Sequence, residues 1–336
     1  MLHSSKNKSN YDHRFHNRND FYIIDNNEPV LDFINMNNTM SGVKSINTYD
    51  FSTLYTSIPH DQLKNNLELF VNKVFTFKDK QYIIPNLFTK KAYFSNCSTR
   101  GNNKVCFSKD DLLECLFYLI DNSYVVYQNI IYRQVIGVPM GTNCGPQLAN
   151  IYLYVYEYSY IATLIDDNDI FNLSKLQYIF RYQDDLISFN DSGLFGDLLS
   201  VIYPSEMVVN CTNVSARKCN YLDLCISIYH GKFRVVKYDK KEDFSFNVIS
   251  YPFLSGNIPS NLSYGIFTSQ LVRFSKINST YKGFKDDISK LVTKLVSQGF
   301  ALAALRIKFV RFYYSRLNLW AKFGLDIYPD LIRLFG

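Results

Sequence analysis

The sequence holds no run of about 18 uncharged apolar residues, which argues against a membrane-spanning helix. Its start, Met1 to Asp20, is polar and lacks the apolar stretch a secretory signal needs, so an intracellular location is expected. The seven cysteines (Cys97, Cys106, Cys115, Cys144, Cys211, Cys219, Cys225) are odd in number, and no two stand in C-x-x-C spacing. Neither a disulfide framework nor a zinc site is indicated, and they read as small buried residues. Apolar residues are not scarce: 47% of the chain, with 16% aromatics, is ample for burial, so disorder is not expected. A length of 336 residues holds two or three compact units.

Charge is unevenly spread. From Leu271 onward there are twelve Lys or Arg against four acids, a net +8, while the whole chain carries only +6. A basic terminal unit beside a slightly acidic body points to a polyanion held in one place and metal-assisted chemistry in another. A solvated helical face explains the same count.

The element pattern can be followed along the chain. Phe21 to Met40 reads as an incomplete strand and helix broken at Pro29. Ser45 to Pro59 is dense in β-branched and aromatic residues, and Asp50 sits inside it. Leu63, Leu67, Phe70, Val71 and Val74 predict a helix from Asp61 to Phe75. Ser108 and Asp111 resemble a capping box opening a helix that buries Leu112, Cys115, Leu116, Leu119 and Ile120. Val125 to Ile136 alternates like a hairpin around Gln128-Asn129. Helices are expected over Ser192 to Tyr203, around Phe284 to Leu295, and over Leu302 to Phe323. A strand is expected at Met207 to Asn210 and a hairpin over Asn220 to Lys237 turning at His230-Gly231. Pro252, Gly256, Pro259 and Gly265 break the chain into loops.

Two stretches carry chemistry. Tyr178 to Phe189 reads as strand, tight bend, strand, with Asp184 and Asp185 at the bend. Adjacent partly buried carboxylates repel, so a fold that keeps them holds a cation or raises a pKa. Three other Asp pairs, at Asp110, Asp166 and Asp286, lack strand formers on both sides and read as solvated helix starts or turns. Gly137 to Leu153 has glycines at 137, 141 and 145, with Pro146 placed to open a helix whose N-terminus offers N–H groups to phosphate. Taken alone, that loop is equally a plain turn.

The order of these parts resembles the palm and thumb of reverse transcriptases. More closely, it is similar to the polymerase of Penelope-like retroelements, related to telomerase-type polymerases. The matching stretches are Tyr-Asp-Phe-Ser-Thr-Leu-Tyr-Thr-Ser-Ile-Pro (49 to 59), Gly-Val-Pro-Met-Gly-Thr-Asn-Cys-Gly-Pro (137 to 146), Arg-Tyr-Gln-Asp-Asp-Leu (181 to 186) and Tyr-Leu-Asp-Leu (221 to 224). The resemblance implies an α+β fold: a right-hand polymerase palm of antiparallel sheet backed by helices, with reduced fingers and an α-helical thumb. Residues 1–44 would be an N-terminal segment and remnant of the fingers, 45–250 the palm with fingers insertions and a primer-grip hairpin, and 251–336 the basic thumb.

The same resemblance implies RNA-directed DNA polymerase activity on an RNA template, a DNA primer and deoxynucleoside triphosphates, with no membrane and a nuclear location. Asp50 and Asp184 would hold two magnesium ions, or manganese in their place, with the Phe51 carbonyl completing a site and Asp185 as accessory acid. Tyr55 would exclude a 2′-hydroxyl, unless it is a packed core aromatic. Gln134, Gly137, Met140, Gly141 and Thr142 would shape the nucleotide pocket, and Lys218 would protonate pyrophosphate. Lys232, Arg234 and Lys237 would grip the primer, while Arg273, Lys290, Lys294, Arg306 and Arg311 would follow phosphates. The alternative is a catalytically inactive, truncated or domesticated nucleic-acid-binding relic. A lesser alternative, an RNA-dependent RNA polymerase, sits badly with Tyr55.

Overall fold

The computed structural model describes residues 22–39, 45–99, 101, 103–190, 193–213, 215–246, 248–324 and 326–336. The polar start Met1 to Asp20, and Phe21, Met40, Asp191 and Ser192 at the edges of expected elements, lie outside the described residues. The chain is α+β, with antiparallel strand pairs and two compact units.

Pro29 does not break the first element; it stands in the opening turn of α1 (Glu28–Asn37). There its missing N–H is no loss and its fixed φ suits the helix. β1 (Ile46–Phe51) is followed by a single helical turn, α2 (Leu54–Ser57), so only the first part of the β-branched and aromatic stretch that ends at Pro59 is strand. Thr56 and Ser57 donate their N–H groups to the Thr53 carbonyl at 3.1 and 3.0 Å, closing the chain into that turn. α3 (His60–Lys78) follows and buries Leu63, Leu67, Phe70, Val71 and Val74 at the predicted spacing.

β2 (Tyr82–Asn86), β3 (Lys91–Ser95) and β4 (Phe107–Ser108) form a sheet in the order β3-β2-β4. α4 (Lys109–Asp121) opens with the capping box formed by Ser108 and Asp111. Its buried residues are Leu113 and Ile120, with Leu112, Leu116 and Phe117 packed partly against the core, while Cys115 and Leu119 are exposed. The apolar stripe is therefore rotated by about one residue from the expected one; two stripes at i, i+3, i+4 overlap in this helix. β5 (Tyr124–Tyr127) and β6 (Ile130–Arg133) pair around Gln128 and Asn129, both at positive φ.

α5 (Gly145–Asp166) starts with Pro146 in its first turn. After α6 (Ile170–Leu176), β7 (Ile179–Tyr182) and β8 (Asp185–Phe189) make the expected hairpin, but its turn residues are Gln183 and Asp184; Asp185, expected at the bend, pairs with Tyr182 as the first residue of β8. α7 (Leu194–Ile202) and β9 (Val209–Cys211) follow, completing a sheet of order β7-β8-β1-β9. β10 (Lys218–Tyr221), β11 (Leu224–Tyr229) and β12 (Lys232–Lys237) form a further three-stranded antiparallel sheet, turning at His230 and Gly231. The terminal helices are α8 (Ser260–Ile277), α9 (Tyr281–Ser297), α10 (Leu302–Ser315), α11 (Leu317–Trp320) and α12 (Tyr328–Ile332). Gly265 lies within α8 rather than in a loop. The helix expected over Leu302 to Phe323 breaks at Arg316, where φ is −137°.

One unit takes in Tyr49–Thr212 with the segment ending at Ile24; the other joins Asp25–Thr48 to Asn213–Gly336. The borders expected at 44/45 and 250/251 are not those of the contacts, because β12 belongs with the terminal helices. Val235 N–H donates to Ser279 Oγ at 2.9 Å, and Ser279 N–H returns to the Val235 carbonyl at 2.9 Å. The first unit buries a core including Tyr49, Phe51, Leu63, Leu67, Tyr152 and Leu186. The second packs Phe267, Leu271, Phe284, Ile288, Leu305 and Phe309, and the Trp320 ring stacks on Tyr313 at 5.4 Å. Of the cysteines, Cys219 is buried, while Cys97, Cys115 and Cys211 are exposed, against the expectation of burial. Small size permits Cys in a core without requiring it there. No helix among the described residues is long and apolar enough to cross a membrane.

Candidate functional site

The acidic hairpin and β1 are neighbours in one sheet, and at the turn Phe51 N–H donates to the Asp184 carbonyl at 3.2 Å. Residues 133 apart in sequence are thereby brought together. Alternation then settles which face each acid takes. Tyr49 and Phe51 share a face of β1 and pack edge-on against Phe195 and Tyr203, at 5.6 and 4.9 Å between centroids. In β7–β8, Arg181 and its cross-strand partner Leu186 lie on that same side, since Arg181 and Tyr203 both bind Glu157 of α5. Asp50 alternates with Tyr49 and Phe51, and Asp185 alternates with Leu186. Both acids therefore belong to the opposite face, with Asp184 at the turn beside them. All three are partly exposed.

A buried charge network fixes that turn, and sequence reasoning missed it. Arg181 and Glu157 are both fully buried; Nε reaches Oε1 at 2.6 Å and Nη2 reaches Oε2 at 3.0 Å. Nη1 donates to Asn150 Oδ1 at 2.7 Å and to the Gln183 carbonyl at 3.0 Å. Gln183 sits at φ 54°, a strained value for a residue with a side chain. The guanidinium thus holds the odd peptide of the acidic turn from below. Burial alone would lower the Arg181 pKa, but Glu157 outweighs it and holds the group above its ordinary value. Burial first, and Glu157 second, push the Tyr203 phenol well up. That phenol stays neutral and donates to Glu157 at 2.9 Å. The available signal was one cation in an apolar strand and one acid in the apolar body of α5.

Tyr55, in α2, has its ring buried and its hydroxyl 3.4 Å from Gln183 Oε1. Desolvation first and the Asp184 carboxylate second raise its pKa, which places the phenol within the field of the acidic turn. The glycine loop is tied to the same turn of chain: Gly137 N–H donates to the Ile58 carbonyl at 2.7 Å and Val138 N–H to the Tyr55 carbonyl at 2.6 Å. His60 Nε2 lies 2.8 Å from the Gly137 carbonyl, which identifies that nitrogen as the protonated one. A Cβ at Gly137 would stand 2.5 Å from the Tyr55 carbonyl, and one at Gly145 would stand 2.6 Å from that of Pro139. Glycine is required at both positions by close backbone approach. Gly141 meets nothing within 4 Å, and Met140 is exposed. Thr142 Oγ1 folds back on the Pro139 carbonyl at 2.9 Å. Gln134 donates to the Ile136 carbonyl at 3.0 Å, while its Oε1 is buried without a partner. Gly137, Gly141 and Thr142 line a cavity of about 710 Å³ with Leu119, Ser123 and Tyr124.

The other expected residues lie in the second unit. Lys218 is exposed on β10. On β12, Lys232 is exposed, Arg234 lies over the Tyr229 ring at 4.4 Å, and Lys237 is paired with Asp239 at 3.1 Å. Arg273 and Lys290 are engaged with Asp223 and Glu242, at 2.6 and 3.0 Å, and Lys294 donates to Ser250 Oγ at 2.9 Å. Arg306 and Arg311 are exposed on α10 and make no ion pair among the described residues.

Among the described residues, no three His, Cys, Asp or Glu side chains cluster into a metal cage. Magnesium requires less, since it is commonly held by one or two carboxylates with water and substrate phosphate completing the shell. Asp50 and Asp185 on one face of the sheet, with Asp184 at the adjoining turn, are hard-oxygen donors of the kind that chemistry uses.

No protein-family model matches the chain, and no curated protein matches its sequence. Among solved structures it is similar to telomerase from Candida albicans in complex with a TWJ fragment of telomeric RNA. The TM-score is 0.56 at 14% identity, over 94% of this chain and 52% of that one. Apo telomerase from Candida tropicalis gives TM-score 0.48 at 14% identity, over 99% and 53%. The sicinivirus 3Dpol RNA-dependent RNA polymerase gives 0.39 at 11% identity, over 88% and 54%. The chain spans about half the length of the telomerases it matches. On the first of these likenesses, over nearly its whole length, the chain shares its fold with about half of that telomerase.

Proposed function

We propose that the chain is an RNA-directed DNA polymerase of Penelope-like retroelement type, adding deoxynucleotides to a primer 3′-hydroxyl. The observation that carries this reading is the Phe51 to Asp184 backbone bond, which sets Asp50 beside the acidic turn with Asp50 and Asp185 on one face. The order of the four motifs and the shared fold support it. The relative solved with telomeric RNA makes an RNA template the natural partner.

Bound magnesium, two ions in this reading, would acidify the primer hydroxyl and neutralise the leaving pyrophosphate. The chain's own part is to hold the charge that attracts the cation. Arg181 keeps the turn in one geometry, so little reorganisation remains when substrate arrives. Tyr55, anchored on Gln183, forms the wall that would meet a 2′-hydroxyl. The Gly137 loop, pinned to Tyr55 and Ile58, offers backbone beside that wall. The loop then feeds the N-terminus of α5, whose dipole favours phosphate.

Primer extension with an RNA template, deoxynucleotides and magnesium tests the proposal. The expected result is product from the parent chain, a loss of about 100-fold or more in Asp184→Asn, and ribonucleotide incorporation in Tyr55→Ala. Product from Asp184→Asn at the parental rate, or none from the parent, overturns it.

A further inference from the structure

The thirty residues from Lys80 to Lys109 contain six cations (Lys80, Lys90, Lys91, Arg100, Lys104, Lys109) and no acid. This +6 stands apart from the +8 of the terminal helices, within a body that is otherwise acidic. The described part of this insert is the β2–β3–β4 sheet. One face of it is core: Ile83, Phe94 and Phe107 share a side through the strand register, and Phe94 packs edge-on against Phe75 at 5.5 Å.

The tip is built differently. Asn86 Oδ1 accepts from Phe88 N–H at 3.0 Å and from Thr89 N–H at 2.9 Å, and Lys90 closes the turn at φ 54°. This side-chain-made turn holds Phe88 out at 83% exposure, with Lys90 and Lys91 exposed directly after it. Down the same hairpin, Tyr93 is 42% exposed and Lys104 Nζ lies 5.5 Å from its ring centre. Lys80, Lys90 and Lys91 make no ion pair among the described residues. An apolar protein partner would have to bury these lysines uncompensated, which is costly. A flexible polyanion with open π-faces satisfies lysines and rings together.

We propose that the β2–β3 tip is a nucleic-acid contact separate from the carboxylate turn, holding a single strand with Lys90 and Lys91 on phosphates and Phe88 stacked on a base. This goes beyond polymerisation, because binding here requires neither metal nor nucleotide.

Fluorescence anisotropy of the full chain with a labelled single-stranded oligonucleotide of about 16 nucleotides, across a salt series without metal, tests it. Lys90→Gln/Lys91→Gln should lower the slope of log affinity against log salt by about 1.4. Phe88→Ala should weaken binding about fivefold or more with the slope unchanged. A duplex of the same sequence should be indifferent to Phe88→Ala. These positions are exposed, so unchanged melting temperatures certify the fold of each variant. Parental slope in the double lysine variant, parental affinity in Phe88→Ala, or an equal loss on duplex overturns the proposal.

Discussion

Two hairpins of similar size carry opposite charge and are held by opposite means. β7–β8 turns through Gln183, and its turn carbonyl is bound by a guanidinium fully buried against Glu157. β11–β12 turns through His230 and Gly231, and two of its three cations sit at the surface, Lys232 exposed and Arg234 over an aromatic ring, while Lys237 is part-buried beside Asp239. A buried ion pair is an expensive way to add stability, since desolvation offsets most of its attraction, but it permits only one arrangement. Surface pairs cost little and constrain little. The acidic hairpin is thus built for fixed geometry and the basic one for tolerance.

The largest effect follows from breaking the buried pair on one side. Glu157→Leu leaves the Arg181 charge uncompensated and should cost about 3–5 kcal/mol in urea unfolding. Glu157→Leu/Arg181→Met should recover most of that stability while leaving the Gln183 carbonyl unheld. A cost below about 1 kcal/mol for the single variant would erase the contrast between the hairpins. The glycine loop sharpens the same contrast within five residues. Gly137→Ala meets the Tyr55 carbonyl at positive φ and should lose about 1–3 kcal/mol. Gly141→Ala, in open space, should stay within about 0.5 kcal/mol.

The basic unit holds a half-buried charge at Asp287. Burial raises the Asp287 carboxyl, although the Asn278 amide donates to it at 2.7 Å. A raised carboxyl favours its protonated form in the fold. Its contribution is therefore present at low pH and is lost as pH rises above the ordinary carboxylate range. Asp287→Asn should raise the melting temperature at pH 7 more than at pH 4; an equal shift at both would contradict this assignment. The smallest effect belongs to the surface: Lys290→Ala, breaking an exposed pair with Glu242, should change stability by less than about 1 kcal/mol in the same unfolding measurement.

Much of this was legible in the residues. The Ser108 capping box, the Gln128-Asn129 and His230-Gly231 turns, and the acidic hairpin formed where local rules put them, because each is decided by backbone conformations that few residues accept. Pro29 was misread because the same locked φ that ends one helix begins another. Gly265 was misread because surrounding packing can hold a glycine within a helix. The Arg181 network was invisible for another reason. Sequence patterns assign Arg and Glu to the surface, and only the fold shows that residues 24 apart neutralise each other at full burial. The Lys80 to Lys109 insert was overlooked because its charge was averaged into an otherwise acidic body.

The central claim is that Asp50 and the acidic turn form one cation site. Manganese binding, followed by electron paramagnetic resonance in the presence of a deoxynucleoside triphosphate, addresses it directly. Asp50→Asn and Asp184→Asn should each weaken binding about tenfold or more, since even indirect supports of a metal site cost that much when removed. Parental manganese affinity in both variants would show that these carboxylates share no ion.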